Sequence, residues 1–275
     1  MTSTLASGWS IANLDTPARA RMPGIPDAVR RARYPFRLMR YWIAHELLLA
    51  EGRRRGGAPF DVLEIGLDAG QMLSFSNETL AYRRASPPWG SWSGLDCAPQ
   101  WDALRHAGYD DVAVVDLESD EQLRARTPAS CDAIVLLHVI EHLHDPLPAL
   151  SALTDWLRPG GLLIAGTPCT PDFARGWWER RLRKTSQPRG HVSVVSPRRV
   201  RDWGDALGLQ TEWLSGAFFM RHKGSPLENQ AWWVRANLAF GRRFPGWPGE
   251  IYWAWRRPAP GPSLRTGDGS PAGRP

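Results

Sequence analysis

One eleven-residue stretch, FDVLEIGLDAG at positions 60–70, constrains the fold more than any other part of the chain. Its apolar residues predict a short buried strand over 61–65, which ends at the closely spaced Gly66 and Gly70. A run that is compatible with a helix follows. A strand that passes through glycines into a helix brings bare backbone against a nucleotide-like ligand. An ordinary tight turn also favours glycine, so the stretch alone leaves both interpretations open.

The residue between the glycines indicates which ligand the turn accepts. Dinucleotide-binding folds use the pattern G-x-G-x-x-G, which seats a pyrophosphate on the N-terminus of a helix. This chain instead has Asp68 between Gly66 and Gly70. Because a carboxylate repels a pyrophosphate and tolerates a cation, the turn favours a cationic ligand over a dinucleotide.

Apolar strand patterns alternate with helical patterns along the chain. Further strands are predicted over 91–96, 111–116, 132–137, 162–166, 209–219 and 250–256, and helices over 35–51, over 99–106 and from Asp145 to the Pro-Gly-Gly at 159–161. Such alternation predicts an α/β fold with a parallel sheet and helices on both faces. Ligands of these sheets bind at the carboxyl ends of the strands, where Glu64, Asp96 and Asp116 fall.

Length and cysteine content limit the class of protein. A chain of 275 residues predicts one sizeable domain with additions. The three cysteines form no C-x-x-C pair, which argues against a disulfide framework or a zinc site and favours a reducing compartment. No apolar run approaches the roughly 18 residues that span a bilayer, and the N-terminus lacks the apolar core of a signal peptide. We therefore expect a cytoplasmic protein without a transmembrane segment.

The charged residues separate into three blocks. Residues 1–60 carry 10 Lys+Arg and 4 Asp+Glu (net +6), residues 61–170 carry 6 and 16 (net −10), and residues 171–275 carry 18 and 8 (net +10). An acidic middle between basic flanks suggests two ligands of opposite charge. The alternative is that these charges only solvate the surface.

Five segments resemble, in order, the motifs of class I S-adenosylmethionine (SAM)-dependent methyltransferases. They are VLEIGLDAG, LDC, VVDLES, CDAIVLLHVIEHLHDP and LRPGGLLIAGTP, within about residues 60–210. The resemblance is strongest to the small-molecule branch that includes the ubiquinone-biosynthesis O-methyltransferases. It implies a doubly wound, Rossmann-like sheet of seven strands, mostly parallel, in which strand 7 is antiparallel.

The resemblance also implies a binding site for SAM. The residues that it assigns to the cofactor are Glu64, Gly66, Asp68, Gly70, Asp96, Asp116, Leu117 and His138. Of these, Asp96 would hold the ribose hydroxyls, and Asp116 and Leu117 would flank the adenine. SAM carries a sulfonium and an ammonium, so an acidic pocket suits it. The alternative role for Asp96 is to cap the helix predicted from position 99.

The sequence departs from the family pattern at two places. Asp68 stands where the family has a second glycine. Aspartate is among the non-glycine residues that best tolerate left-handed backbone, so we expect the turn to survive, with some crowding of the methionine end of SAM. The connection before Asp96 is longer than usual and contains SPPWGSW, which is predicted to form a surface loop.

Histidines near the predicted sheet edge are candidates for the catalytic base. Methyl transfer needs proximity, alignment and, for a hydroxyl acceptor, a base. The predicted catalytic residues are His191, the first choice, and His142. In the ubiquinone-biosynthesis relatives the segment matching 138–142 can bear metal-binding acids; Glu141 and His142 match that pattern, whereas His138 replaces an acid. No metal is predicted, and metal binding is kept as an alternative. The alternative for Glu141 and His142 is a structural turn.

Two insertions are predicted on the substrate side. The first, 171–190, contains the predicted substrate residues Trp177, Trp178, Arg180 and Arg181. Arginines bind phosphate or carboxylate, and tryptophan faces stack on sugars, bases or lipid. An amphipathic helix that covers the sheet is the alternative. The second insertion, 220–248, is rich in Trp and Arg and could rest on a membrane surface.

The chain is thus predicted to comprise a loose arm (1–34), a methyltransferase domain (35–257) and a disordered tail (258–275). The predicted function is O-methylation of a small or glycan-like anionic acceptor by SAM. A nucleic-acid methyltransferase is one alternative, because the flanks are basic. However, HVIEH follows the fourth strand in place of the N/D-P-P-Y/F element of base N-methylating enzymes. A catalytically silent SAM-fold scaffold, motivated by Asp68, is the other alternative.

Overall fold

The computed structural model describes residues 35–185, 190–217, 227 and 231–259. The predicted arm, nearly all of 218–230 and the predicted tail from residue 260 onward lie outside the described residues.

Strands and helices alternate within the described residues. The strands are β1 (Phe60–Ile65), β2 (Trp89–Asp96), β3 (Asp111–Val114), β4 (Cys131–Leu137), β5 (Leu157–Cys169), β6 (Gln210–Gly216) and β7 (Gly249–Arg256). The helices are α1 (Pro35–Arg54), α2 (Gln71–Arg83), α3 (Trp101–Leu104), α4 (Asp120–Arg124), α5 (Pro146–Trp156), α6 (Arg175–Thr185), α7 (Pro197–Ala206) and α8 (Ala231–Arg243). Short 3₁₀ turns lie at Ile140–His142 and Asp172–Ala174.

The seven strands form one sheet in the order β3-β2-β1-β4-β5-β7-β6. Strands β1 to β5 pair in parallel, and β7 is antiparallel to both of its neighbours. The predicted seven-stranded, mostly parallel sheet with an antiparallel strand 7 is confirmed. Because β1 lies between β2 and β4, the strand order reverses at β1, which is where such sheets bind their ligands.

Helices cover both faces of the sheet, as predicted. Successive residues of a strand point to opposite faces. Accordingly, Val62 and Tyr252 pack beneath α1 and α2, while their neighbours Leu63 and Trp253 pack against α5 and α7. Within the described residues, no helix combines the length and apolar character needed to cross a membrane.

Helix ends follow capping chemistry. Asp145 accepts a hydrogen bond from the backbone amide of Leu147, and Pro146 occupies the first turn of α5, as the sequence predicts. Helix α1 continues to Arg54, three residues beyond the predicted end. The extension is favoured because Arg54 and Arg55 both donate to the buried carboxylate of Glu51 on the last turns.

The prediction that SPPWGSW forms a surface loop holds for residues 86–88 and is wrong for residues 89–92. Strand β2 begins at Trp89, and the rings of Trp89 and Trp92 are buried in contact, with centroids 4.8 Å apart. The pairing register shifts opposite Phe60 and Asp61, which adds Gly90 as an extra residue on β2. This bulge returns both tryptophans to the face that α1 covers.

Strands β5 and β3 also differ from the prediction. Strand β5 begins at Leu157, directly after α5, because Leu157 pairs with Cys131 before a register shift brings Leu162 opposite Ala133. The Pro-Gly-Gly therefore lies inside β5, with Gly160 at φ +78°. Strand β3 ends at Val114, so Asp116 lies in the loop after it.

Candidate active site

The glycine turn after β1 requires left-handed backbone at three positions. The φ angles are +77° at Gly66, +48° at Asp68 and +72° at Gly70. A Cβ atom on Gly66 would lie 2.3 Å from Cγ2 of Val139. Gly66 is therefore required both by its backbone angle and by the close approach of the segment after β4. Asp68 adopts the left-handed conformation that the sequence analysis expected it to tolerate.

The carboxylate of Asp68 connects the starts of two helices. Its oxygens accept hydrogen bonds from the side-chain amide of Gln71 at 3.2 Å and from that of Gln100. The hydroxyl of Tyr41, on α1, donates in turn to the Gln71 carbonyl. Helix α1 thereby reaches the glycine turn through Tyr41.

Asp96 lies at the carboxyl end of β2, next to the glycine turn. One carboxylate oxygen accepts the backbone amide of Asp68 at 3.1 Å, and the other accepts that of Ala98 at 2.8 Å. Each oxygen keeps a lone pair with which it can accept a further hydroxyl. The alternative role of helix cap is wrong, because Gln100 occupies the N-cap of α3.

Glu64 is a buried carboxyl group behind the turn. It accepts hydrogen bonds from the indole nitrogen of Trp92 at 3.0 Å and from the hydroxyl of Tyr109 at 2.8 Å. Burial raises the pKa of Glu64 to about 8, and the two donors only partly oppose that rise. A cation placed beside this carboxyl would favour its ionised form.

The residues expected to flank adenine follow β3. Asp116 is exposed, and its carboxylate accepts the backbone amide of Glu118 at 2.9 Å. Leu117 is buried in the core between the sheet and α5. Asp116 thus lies at the same edge of the sheet as Asp96. The Leu117 side chain packs into the core and anchors the loop that carries Asp116.

His138 occupies the exit of β4 in left-handed backbone, at φ +57°. Its Nδ1 lies 3.2 Å from a carboxylate oxygen of Glu141, and its Nε2 lies 3.5 Å from one of Glu250. Burial lowers the pKa of His138, but the two carboxylates outweigh it and the net pKa is raised. The ring is therefore held between two acids.

Sequence reasoning missed Glu250 and Arg40 as members of this cluster. Glu250 accepts a hydrogen bond from the hydroxyl of Tyr252. Its position follows from strand pairing, because an antiparallel β7 begins at the edge where β5 ends. Arg40 comes from α1, and its buried Nε has no hydrogen-bond partner among the described residues. Neither residue belongs to a local motif that the sequence could reveal.

The structure brings the two predicted catalytic histidines together. The rings of His142 and His191 lie 5.1 Å apart at 77°. His142 Nδ1 lies 3.1 Å from the carbonyl oxygen of Gly190. The backbone carbonyl of Glu141 accepts the amides of Val192 and Ser193, which fixes the segment that carries His191.

The same histidines and Glu141 could hold a metal ion. One ligand atom from each of Glu141, His142 and His191 lies within 4.8 Å of the other two. Two imidazoles and a carboxylate suit a divalent transition metal. The expectation that the site works without a metal stays a prediction.

The predicted substrate residues are clustered on α6. The rings of Trp177 and Trp178 are 4.9 Å apart, and the Arg181 guanidinium lies 5.5 Å and 5.4 Å from their centroids. Arg180 is exposed beside them. Glu179 lies 3.7 Å from Arg199 of α7, which ties α6 to the sheet.

A cavity of about 330 Å³ lies at the opposite edge of the sheet, between α1 and strands β6 and β7. Its walls include Glu51, Arg54, Glu212 and Arg256. On α1 and β7 these residues lie at the ends opposite to those that approach the glycine turn. The chemistry-bearing side chains lie at the other edge, so this cavity is not the candidate active site.

Comparison with protein families decides the class of the protein. A family model described as a methyltransferase domain matches residues 32–212. The chain belongs to this methyltransferase family. The predicted membership of a methyltransferase family is confirmed.

Similar curated proteins are named ubiquinone biosynthesis O-methyltransferase. That of Xanthomonas euvesicatoria pv. vesicatoria is 30% identical over 108 residues, which cover 38% of this chain and 45% of the relative. That of Xylella fastidiosa is 31% identical over 109 residues, which cover 38% and 41%. The chain thus spans less than half the length of these relatives.

Solved methyltransferase structures share the fold. The trans-methyltransferase CalH in complex with SAH is 15% identical, with a TM-score of 0.53, over 84% of this chain and 59% of that one. The N-methyltransferase NodS from Bradyrhizobium japonicum is 18% identical, with a TM-score of 0.50, over 82% and 98%. At these identities the likeness concerns the fold alone.

The residues at the carboxyl end of β1, where the strand order reverses, fit the cofactor of this family, S-adenosylmethionine. Gly66, Asp68 and Gly70 hold the turn in left-handed backbone at the carboxyl end of β1, where sheets of this kind bind their ligands. Asp96 offers two carboxylate oxygens to a diol, and Glu64 offers a buried acid to a cation. The chain has no third glycine for a pyrophosphate, in agreement with this choice.

Proposed function

We propose that the protein transfers the methyl group of SAM to an oxygen atom of a small or glycan-like anionic acceptor. The names of the relatives support oxygen as the acceptor atom. The observation that carries the proposal is the pairing of His142 with His191 at the sheet edge that holds the glycine turn. Two neighbouring imidazoles beside an acidic cofactor site are suited to taking a proton from a hydroxyl.

The proposed SAM contacts use the residues expected from the sequence. Asp96 accepts the ribose hydroxyls, and Asp116 with Leu117 borders the adenine. Gly66, Asp68 and Gly70 supply the close backbone approach, and Glu64 faces the ammonium. His138 belongs instead with the acceptor, because its ring is held by Glu141 and Glu250.

In the proposed mechanism the protein aligns the acceptor and removes its proton. SAM, when bound, supplies a methyl carbon that its sulfonium has activated. His191 accepts the hydroxyl proton, because burial lowers its pKa and keeps the ring neutral near pH 7. His142 Nδ1 is held by the Gly190 carbonyl, so this ring orients its neighbour. The α6 residues Trp177, Trp178, Arg180 and Arg181 hold the anionic part of the acceptor.

Radiolabelled SAM incubated with fractionated cell extract tests the proposal. We expect one low-molecular-weight product, and NMR of that product should place the label in a methoxy group. His191→Gln should slow transfer by a factor of about 100 or more, the usual worth of a general base. His106→Gln, at an exposed histidine after α3, is the matched control and should transfer normally.

Binding measurements separate the alternatives. Asp96→Ala should weaken SAM binding by about 1–3 kcal/mol, because ribose hydroxyls lose their acceptor. A wild-type protein that binds SAM and labels no acceptor would support the catalytically silent scaffold. Labelled RNA or DNA would support the nucleic-acid methyltransferase. The cytoplasmic location stays a prediction.

A further inference from the structure

Five large aromatic side chains are exposed around the carboxyl end of β5. Phe173, on the turn that follows β5, is 92% exposed, and Trp177 on α6 is 52% exposed, with Trp178 beside it. Phe244 and Trp247, between α8 and β7, are each about half exposed. Soluble proteins expose single aromatics commonly but seldom group them in this way.

Contacts in the chain bring these two aromatic segments together. The thiol of Cys169, the last residue of β5, lies 3.6 Å from the carbonyl oxygen of Pro245. The carboxylate of Asp172 accepts the backbone amide of Arg198 at 3.2 Å, at the start of α7. A Cβ atom on Gly246 would lie 3.4 Å from the Pro197 ring. Both segments therefore border the same end of the sheet.

Exposed arginines are interspersed with the aromatics. They are Arg180 and Arg181 on α6 and Arg242 and Arg243 at the end of α8. The Arg243 guanidinium lies 5.0 Å from the Phe244 ring centroid. The acid on α6, Glu179, is already shared between Arg175 and Arg199. These four arginines and the five aromatics form what we term the aromatic–arginine rim, which carries net positive charge.

We propose that the aromatic–arginine rim docks the protein on an anionic phospholipid bilayer. Tryptophan and phenylalanine insert between lipid headgroups, and arginines beside them pair with lipid phosphates. Phe173 lies on a turn, is almost fully exposed and carries no polar atom, which suits insertion into a lipid headgroup layer. The rim borders the edge that carries His191, so docking presents that edge to acceptors borne by the bilayer.

The idea that docking presents His191 to acceptors in the bilayer rests on the proposed function, but docking itself does not. The docking experiment uses the wild-type chain without SAM, mixed with phosphatidylcholine vesicles that contain or lack phosphatidylglycerol. We expect flotation with the anionic vesicles only, release at high salt because the arginine contribution is screened, and quenching of tryptophan fluorescence by brominated lipid.

Three double variants, one of them a control, locate the contact. Phe173→Ser with Trp177→Ser should reduce vesicle binding by about tenfold or more. The matched control is Tyr82→Ser with Trp101→Ser, which removes two aromatics elsewhere that are each about half exposed and should bind vesicles normally. Arg180→Glu with Arg181→Glu should lower binding about thirtyfold. Unchanged SAM affinity checks that each variant is folded.

Three outcomes would overturn the docking proposal. They are no flotation of the wild type, equal losses in the rim variants and their controls, and rim-dependent binding of single-stranded RNA in place of vesicles. None of these outcomes bears on whether the protein transfers methyl groups, so a failure of docking is distinguishable from a failure of the proposed function. Conversely, vesicle binding without any labelled acceptor would reject the proposed function and leave docking standing.

Discussion

Asp68 fills a backbone position that glycine would fill without strain. Its left-handed φ of +48° costs a non-glycine residue of the order of 1 kcal/mol. Its carboxylate is engaged by Gln71 and Gln100. The sequence could predict the conformation, because few residues tolerate it, but not these partners, which come from two different helices.

We therefore expect Asp68→Gly to bind SAM within about threefold of the wild type, because relief of backbone strain offsets the loss of the two side-chain hydrogen bonds. Asp68→Asn is the matched variant, since it keeps the backbone preference and removes the charge. Calorimetry measures both dissociation constants. A tenfold loss in both variants would mean that the carboxylate itself holds the cofactor's ammonium.

Glu64 predicts a pH dependence of cofactor binding. Its pKa of about 8, raised by burial, means that the carboxyl is mostly protonated near pH 7. A bound ammonium favours the ionised form and pulls the pKa down, so binding releases a proton in the window below pH 8. SAM affinity should therefore rise as pH increases from 6 to 7.5.

Calorimetry in buffers of different ionisation enthalpy counts the released proton. Glu64→Gln keeps the shape and most hydrogen bonds of the side chain and should remove both the proton release and the pH dependence. The idea is rejected if the wild type binds SAM equally well at pH 6 and pH 7.5.

At the scale of elements, apolar runs were sufficient to predict the strands. Parallel strands buried on both faces are apolar throughout, so 132–137 predicted β4 almost to the residue. The predicted boundaries of β2 and β5 are wrong because they depend on the register in which the strands pair. Gly90 and the Pro-Gly-Gly of β5 resemble loop sequences, and only the pairing of β2 with β1 and of β5 with β4 makes them bulges.

An ion-pair cluster joins the end of α1 to the end of β7. Glu51 is 2% exposed and accepts hydrogen bonds from Arg54, Arg55 and Arg256, and Arg256 also pairs with Glu212. Burial raises the pKa of Glu51, but the guanidinium hydrogen bonds outweigh it and lower the pKa to about 2. The complete cluster could not be predicted, because Glu212 and Arg256 are distant in sequence from Glu51.

This cluster should make folding sensitive to acid. A lowered pKa stabilises the fold above the unfolded value of about 4.5, and that stabilisation is lost as pH falls toward 2. Glu51→Gln should lower the free energy of unfolding by about 3 kcal/mol at pH 7, because it removes the buried negative charge that three guanidinium groups share, although Arg55 keeps Asp132 and Arg256 keeps Glu212 as partners. The difference should shrink below pH 4.

Urea unfolding at both pH values measures the effect. Glu121→Gln, at an exposed glutamate of α4, is the control and should change stability by less than about 0.5 kcal/mol. Equal stability of Glu51→Gln and the wild type at pH 7 would contradict the assignment.

At the scale of the whole molecule, the fold redistributes the charge pattern of the sequence. Part of the basic N-terminal block is neutralised internally, because Arg54 and Arg55 pair with Glu51, and Arg55 also with Asp132. The acidic block supplies the carboxylates beside the glycine turn. Exposed arginines near the candidate active site include those of α6 and of the end of α8. The composition of the basic block does not reveal which of its arginines lie there.

The last prediction concerns the charge of the acceptor. Arg180 and Arg181 are exposed on α6, and the guanidinium of Arg181 lies over both tryptophan rings. If this surface holds an anionic acceptor, Arg180→Glu with Arg181→Glu should raise the acceptor KM at least about tenfold and leave the SAM dissociation constant unchanged. Wild-type kcat/KM should also fall as salt rises, because exposed charges are screened over roughly 8 Å at physiological ionic strength.

The matched control reverses two exposed arginines elsewhere, Arg105→Glu with Arg124→Glu, and produces the same change in net charge. Steady-state kinetics on a water-soluble form of the acceptor, with no vesicles present, separates acceptor binding from bilayer docking. If both double variants raise KM equally, only the overall charge of the protein matters. If neither does, α6 covers the sheet and takes no part in holding the acceptor, since a surface that binds an anion cannot be indifferent to four units of charge.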